Sequence, residues 1–148
     1  MSWVLLGAAI LAGMALPFQA GVNSILARHL GASSLAAFIS FLAGTLALAL
    51  FVTLTRTPLP SVAQAATAPW PVWIVGGVLG AYVVGSAIVV SPQIGVLSFF
   101  AGVITGQMVM SVVLDHFGAL ALPQHSFNVW RGLGICLLLG GMYLVRRF

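Results

Sequence analysis

Long apolar segments alternate along this chain with shorter polar connections. Five of the segments are apolar over about 20 residues, which is the length that an α-helix needs to cross the hydrocarbon core of a bilayer. The pattern therefore predicts an all-α membrane protein with five transmembrane helices. We place these helices at about residues 3–27, 34–55, 70–91, 94–114 and 130–147.

Residues typical of membrane boundaries lie at the ends of the predicted helices. Tryptophan favours the membrane–water interface, and all four tryptophans fall at or near helix starts. Long cationic side chains near helix ends can extend to the interface, and the five arginines occupy such ends. Because no linker and no change of composition divides the chain, we predict a single transmembrane domain over residues 1–148.

The composition supports lipid as the solvent. Of the 148 residues, 61% are hydrophobic and only 4% are charged, with a mean hydropathy of +1.19. Soluble domains carry roughly a quarter charged residues, and a core this small could not hide so much apolar surface. The net charge of +4 does not indicate a nucleic-acid partner, because its arginines are scattered over the connections and no lysine is present.

The first predicted helix carries two amides within its apolar sequence. Gln19 and Asn23 are four residues apart, so both lie on one face of a helix. Pro17 precedes them and is expected to bend the helix. Because apolar residues suit a lipid-facing surface, this face should point at protein or at a cavity. Two interpretations remain open: the amides bond to a neighbouring helix, or they line a binding site.

The fourth predicted helix combines close packing with a line of polar residues. Gly102 and Gly106 precede the lone amide Gln107, and Ser111 and Asp115 follow at four-residue steps. Residues at this spacing share one face of a helix. The line therefore runs from the middle of the membrane to its surface, and we expect the substrate contacts of this helix around Gln107.

The chemistry-bearing side chains do not form an arrangement typical of an enzyme. Asp115 is the only acid, and it belongs to the exit turn in which Gly118 can end the helix. No acid or histidine lies at the midplane, where proton-coupled transporters commonly place one. We therefore predict no catalytic residue, metal or cofactor, and a small neutral solute as substrate. The side chains expected to contact it are Gln19, Asn23, Ser40, Phe41, Tyr82, Phe99, Gln107 and Ser111.

Small residues recur at four-residue spacing in several predicted helices. Ala36, Ser40 and Gly44 form one such stripe in the second helix. In the third helix, Gly76 and Gly80 fit the GxxxG pattern. Such stripes allow two helices to approach closely. The glycines expected to pack helices together are Gly44, Gly76, Gly80, Gly102, Gly106, Gly140 and Gly141.

The distribution of arginine barely favours one orientation in the membrane. With five spans, two arginines fall on the side of the N-terminus and three on the other side. Orientation is normally set by a clear excess of Lys and Arg in cytoplasmic loops. We therefore predict that the protein inserts both ways and pairs as an antiparallel homodimer, and the alternative is a single orientation with Arg146 and Arg147 in the cytoplasm. An antiparallel pair would form an inverted repeat, an architecture that many transporters have.

Two segments carry a resemblance to a known family. The run PQIG…GQ…S…LDHFG over residues 92–118, followed by RGLGICLLLGGMYLVRR over 131–147, resembles the YdcZ-like five-helix branch of the drug/metabolite transporter superfamily. Asn23 and the segment FISFLAGTLAL fit the same pattern. The resemblance implies a bacterial inner-membrane protein whose five helices form half of a ten-helix inverted-repeat transporter. Small multidrug exporters of the superfamily depend on a first-helix glutamate, for which Gln19 is the nearest polar analogue here.

These observations predict a secondary transporter or exporter of a small metabolite or drug-like solute, working by alternating access as an antiparallel, dual-topology homodimer. One alternative is a membrane accessory or scaffold protein that assembles through its glycine-rich helices. Another is a flippase of a lipid-linked substrate, which needs a lateral opening between helices. Convergence of the amides on one cavity favours transport, whereas amides bonded only to each other in a closed bundle favour the accessory role.

Overall fold

The structure, a computed structural model of the chain, describes residues 3–121 and 124–148 and contains only helices and connections within them. Five of its helices are long and apolar enough to cross a membrane, which confirms the predicted all-α membrane fold. The elements are α1 (Trp3–Leu30), α2 (Ser33–Leu54), a short α3 (Val62–Ala66), α4 (Trp70–Ile94), α5 (Val96–Phe117), a 3-10 turn (Ala119–Ala121) and α6 (Val129–Arg147).

The connection between α4 and α5 is shorter than the sequence pattern indicates. α4 continues through Pro92 to Ile94, and Gly95 alone separates it from α5. Proline is tolerated there because it lies in the last turn, where its missing N–H leaves only the carbonyl of Ile88 without its usual helical bond. At the other end, α5 is closed by Gly118 in the left-handed conformation, which confirms the predicted helix-ending glycine.

The chain forms two compact units, Met1–Pro92 and Gln93–Phe148. In the first unit, a tight turn at Gly31 and Ala32 joins α1 to α2, and the two helices pack against each other as an antiparallel hairpin. Small side chains allow this close approach, and Ala36 has no exposed surface. The buried residues described in this unit are Ala20, Asn23, Ser24, Ala36, Ala87, Ile88 and Ser91.

In the second unit, α5 packs against α6. Phe99 and Phe100 are buried near the start of α5, and their rings meet edge to face with centroids 5.2 Å apart. Asn128 caps α6 by accepting a hydrogen bond from the backbone N–H of Arg131 at 2.9 Å. That the whole chain acts as one domain stays a prediction.

Large apolar side chains are exposed along all five long helices. Leu46 of α2, Leu97 of α5 and Leu137 of α6 each expose about two thirds of their surface: 63%, 70% and 69%. A soluble monomer does not expose contiguous apolar surface on this scale, whereas lipid tails cover it without a penalty. The surface therefore agrees with the bilayer as the solvent.

We expect Gly95→Ala to destabilise the protein. Gly95 has φ 88° and ψ 143°, a conformation that is essentially restricted to glycine and costs other residues about 1–3 kcal/mol. The matched control is Gly7→Ala in α1, because a Cβ there meets no neighbouring atom and alanine stabilises a helix over glycine by roughly 0.5–1 kcal/mol. Unfolding titrations in mixed micelles measure both variants, and equal stability of the two would contradict the assignment.

Candidate functional site

Polar side chains of α1 meet α2 near the middle of both helices. The buried amide of Asn23 donates a hydrogen bond from Nδ2 to Oγ of Ser40 at 3.2 Å. Gln19 lies one turn before Asn23 on the same face of α1. The hairpin therefore brings both amides to α2, where Asn23 bonds to the neighbouring helix and Gln19 lines an open space.

This open space is a cleft of about 220 Å³, which we name the α1–α2 cleft. It is lined by Gln19 from α1 and by Ser40, Phe41, Gly44, Thr45 and Leu48 from α2. No charged side chain lines the cleft, and its polar groups are one amide and two hydroxyls. It lies at the middle turns of two membrane-spanning helices, which is the depth at which transporters bind their substrates.

One face of α2 supplies most of the cleft. Phe41, Thr45 and Leu48 follow each other at spacings of four and three residues, so they lie on one side of the helix. The ring of Phe41 lies beside Gly80 of α4, because a Cβ added to Gly80 would lie 3.4 Å from the ring carbon Cζ of Phe41. The glycine therefore leaves room for the aromatic ring beside the cleft.

Sequence reasoning missed Thr45 and Leu48. Their spacing from Ser40 and Phe41 was visible in the sequence, since each follows a chosen residue within two turns on the same face. A threonine in an apolar helix gives no clear sign of a site, because its hydroxyl can bond to the backbone of its own helix. Thr45 borders the cleft because it lies on the face of α2 that meets α1.

The other predicted contact residues lie outside the cleft. Tyr82 is on α4 and exposes 73% of its surface. Phe99 is buried against Phe100 in the second unit. Gln107 and Ser111 are exposed on α5, one turn apart, and neither side chain makes a hydrogen bond to any residue that the structure describes. The structure thus brings together four of the eight residues and leaves the role of the rest a prediction.

Of the glycines predicted to pack helices, only Gly80 meets a side chain among the described residues. A Cβ added at each of the other predicted positions would have no neighbouring atom within 4 Å in the described part of the chain. Those positions are Gly44, Gly76, Gly102, Gly106, Gly140 and Gly141. Their packing role stays a prediction.

Asp115 forms an ion pair at the end of α5. Its Oδ2 accepts a hydrogen bond from Nη1 of Arg131 at 3.1 Å, with about one third of each side chain exposed. Its backbone oxygen accepts from the N–H of His125 at 2.8 Å. The neighbouring His116 accepts from the N–H of Phe127 through Nδ1 at 3.2 Å. The sole acid of the protein thus ties the connection before α6 to the end of α5. Within the described residues, no group of three His, Cys, Asp or Glu side chains could hold a metal.

We expect Gly80→Leu to destabilise the first unit and Gly80→Ala to be tolerated. A leucine would overlap the ring of Phe41, and overpacking of this kind costs about 1–3 kcal/mol, whereas the single Cβ of alanine sits at contact distance. In a double-mutant cycle, Phe41→Ala should recover part of the loss caused by Gly80→Leu. Additive effects of the two substitutions in micelle unfolding titrations would show that the residues do not touch.

Comparison with known families gives one match. The family model described as "Putative inner membrane exporter, YdcZ" matches residues 4–144, which include all five membrane-spanning helices almost completely. No curated protein and no solved structure matches the chain.

Proposed function

The chain belongs to the YdcZ family of inner-membrane exporters, and from this premise we propose that it exports a small neutral metabolite or drug-like solute by alternating access. As a member of this family with five apolar helices, it is a multi-pass protein of the bacterial inner membrane and a transporter rather than an enzyme. The substrate class, the coupling and the assembly that follow are parts of the proposal.

The α1–α2 cleft is the observation that carries the proposal. Polar side chains are expensive in a lipid-facing position, so an amide and two hydroxyls gathered at the middle of two spanning helices require a partner. Asn23 has its partner in Ser40, whereas Gln19 faces the cleft. The amides are therefore not bonded only to each other, which supports transport over the accessory role.

The charges of the described residues support a neutral substrate. The cleft offers no carboxylate to a cation and no arginine to an anion. Asp115 lies at the end of α5 and is already paired with Arg131. A charged solute at membrane depth would carry a large desolvation penalty without a counter-charge. We therefore propose that no acid of this chain takes a proton in exchange for the solute.

We further propose that two copies assemble in opposite orientations, each supplying five of ten helices. Gln107 is exposed at the middle of α5, and an amide facing lipid tails would lose the hydrogen bonds that it makes in water. A second copy that covers this face would supply them. The open space around Gly102 and Gly106 on the same helix would allow that copy to approach closely.

We expect Gln107→Leu to abolish solute flux while leaving the dimer assembled, because it removes the amide of α5 that we propose contacts the solute, whereas leucine keeps an apolar surface for the second copy. A thermal-shift screen of a metabolite library first identifies a solute, since ligand binding raises apparent stability by mass action. Flux is then measured in proteoliposomes, and the dimer by cross-linking. Met108→Leu is the control on the same turn. Normal flux in the Gln107 variant would refute this role.

We expect added charge at the C-terminus to lock the orientation. The two sides of the membrane differ by a single arginine, so three arginines appended after Phe148 should hold that end in the cytoplasm. Cellular efflux should then fall, and it should recover when a copy biased in the opposite direction is co-expressed. Undiminished efflux by the locked protein alone would rule out the antiparallel dimer.

A further inference from the structure

We propose that the α1–α2 cleft selects uncharged, ring-sized solutes that present a hydrogen-bond acceptor, such as an aryl ketone. The Ser40 hydroxyl is the donor that recognises the acceptor, and Asn23 is the positioning residue that directs it. This inference rests on the proposed function and names the substrate class of the same cleft.

The hydrogen bond from Asn23 leaves Ser40 with a free donor. Nδ2 of the buried Asn23 donates to Oγ of Ser40 at 3.2 Å, so the serine oxygen acts as the acceptor in this pair. A hydroxyl carries one O–H donor besides its lone pairs. No residue that the structure describes accepts that O–H, and Ser40 borders the cleft. The donor is therefore available to a solute.

Several other helical hydroxyls of this chain are bonded within their own helix. Ser24, Thr53 and Thr105 each donate to the carbonyl four residues earlier, at 2.8 Å. Such a bond satisfies the hydroxyl within its own helix. Ser40 and Thr45 make no bond of this kind to the described residues, and both line the cleft. The cleft therefore holds two hydroxyls that no carbonyl of their own helix accepts.

The cleft offers more hydrogen-bond donors than groups that act only as acceptors. The Ser40 and Thr45 hydroxyls each offer an O–H, and the amide of Gln19 offers two N–H groups and one carbonyl oxygen. A solute with an acceptor oxygen can satisfy these donors, whereas a pure hydrocarbon leaves them unpaired at membrane depth. Phe41 and Leu48 supply the apolar surface for the rest of the solute.

The size of the cleft indicates how much of a solute its walls can surround. A dry apolar cavity of about 150 Å³ in another protein accommodates benzene, and the α1–α2 cleft measures about 220 Å³. The difference leaves room for a substituent of two or three heavy atoms on a single ring. A ketone such as 4-fluoroacetophenone has this size, carries one acceptor oxygen and has no donor.

A matched pair of probes tests the selectivity without any transport. Dissociation constants of 4-fluoroacetophenone and of 4-fluoroisopropylbenzene, which has the same shape without the acceptor, are measured by fluorine NMR on the protein in micelles. We expect the ketone to bind about fivefold more tightly, the effect of one hydrogen bond. Equal dissociation constants on the unmodified protein would overturn the inference, and this comparison needs no variant to fold.

Substitutions test which side chain of the cleft donates the hydrogen bond to the ketone. Ser40→Ala should remove the advantage of the ketone and leave binding of the hydrocarbon unchanged, and Thr45→Val should reduce the advantage in part. Asn23→Leu should also reduce the ratio of the two dissociation constants, which a merely structural role would leave intact. Thr53→Val is the control, because its hydroxyl is bonded to Ala49 outside the cleft. A ketone advantage that survives Ser40→Ala would refute the role of Ser40.

The binding result and the flux result separate the two proposals. Selective binding of the ketone without flux of any solute found in the metabolite screen would uphold the inference and overturn export. Flux that depends on Gln107, together with equal binding of the two probes, would uphold export and overturn the inference.

Discussion

Lipid tails offer no hydrogen bonds, and this constraint governs the structure at every level. Backbone groups in the hydrocarbon must be satisfied within the chain, so the described membrane segments are helices with only Gly95 between α4 and α5. Side chains face the same constraint. The buried Asn23 meets it through Ser40, a contact between helices that contributes about 0.6–2 kcal/mol. This bond lies between the faces of α1 and α2 that meet.

The Asn23–Ser40 bond links packing to the candidate site. It lies one turn from Ala36, a small residue of α2 that has no exposed surface. Further along α2, the side chains of Phe41 and Leu48 are larger, and the helices leave the cleft that Gln19 borders. Because Gly80 of α4 has no side chain, it leaves room for the ring of Phe41. One polar contact between the two helices thus lies at the edge of the cleft in which we propose that a solute binds.

Charge is kept at the ends of the helices. Asp115 and Arg131 neutralise each other where α5 ends and α6 begins, and they hold the connection between these helices in place. With both side chains about one third exposed, the pair contributes about 0–1 kcal/mol to stability. The absence of charge from the cleft and the neutral substrate of our proposal are two aspects of this arrangement.

The sequence by itself determined the membrane fold, the five spanning helices and the family resemblance. Hydropathy, segment length and the residues at helix ends are local properties of the sequence. Because lipid offers no hydrogen bonds, an apolar segment of about 20 residues that crosses the bilayer forms a helix. The structure extends α4 to Ile94, beyond the predicted end at about residue 91, because a helix tolerates Pro92 in its last turn. Only the tertiary structure decided which polar side chains meet. Asn23 and Ser40 are 17 residues apart, and Asp115 and Arg131 are 16 apart. Such pairings depend on the rotation of each helix about its axis, which packing sets and local sequence does not encode.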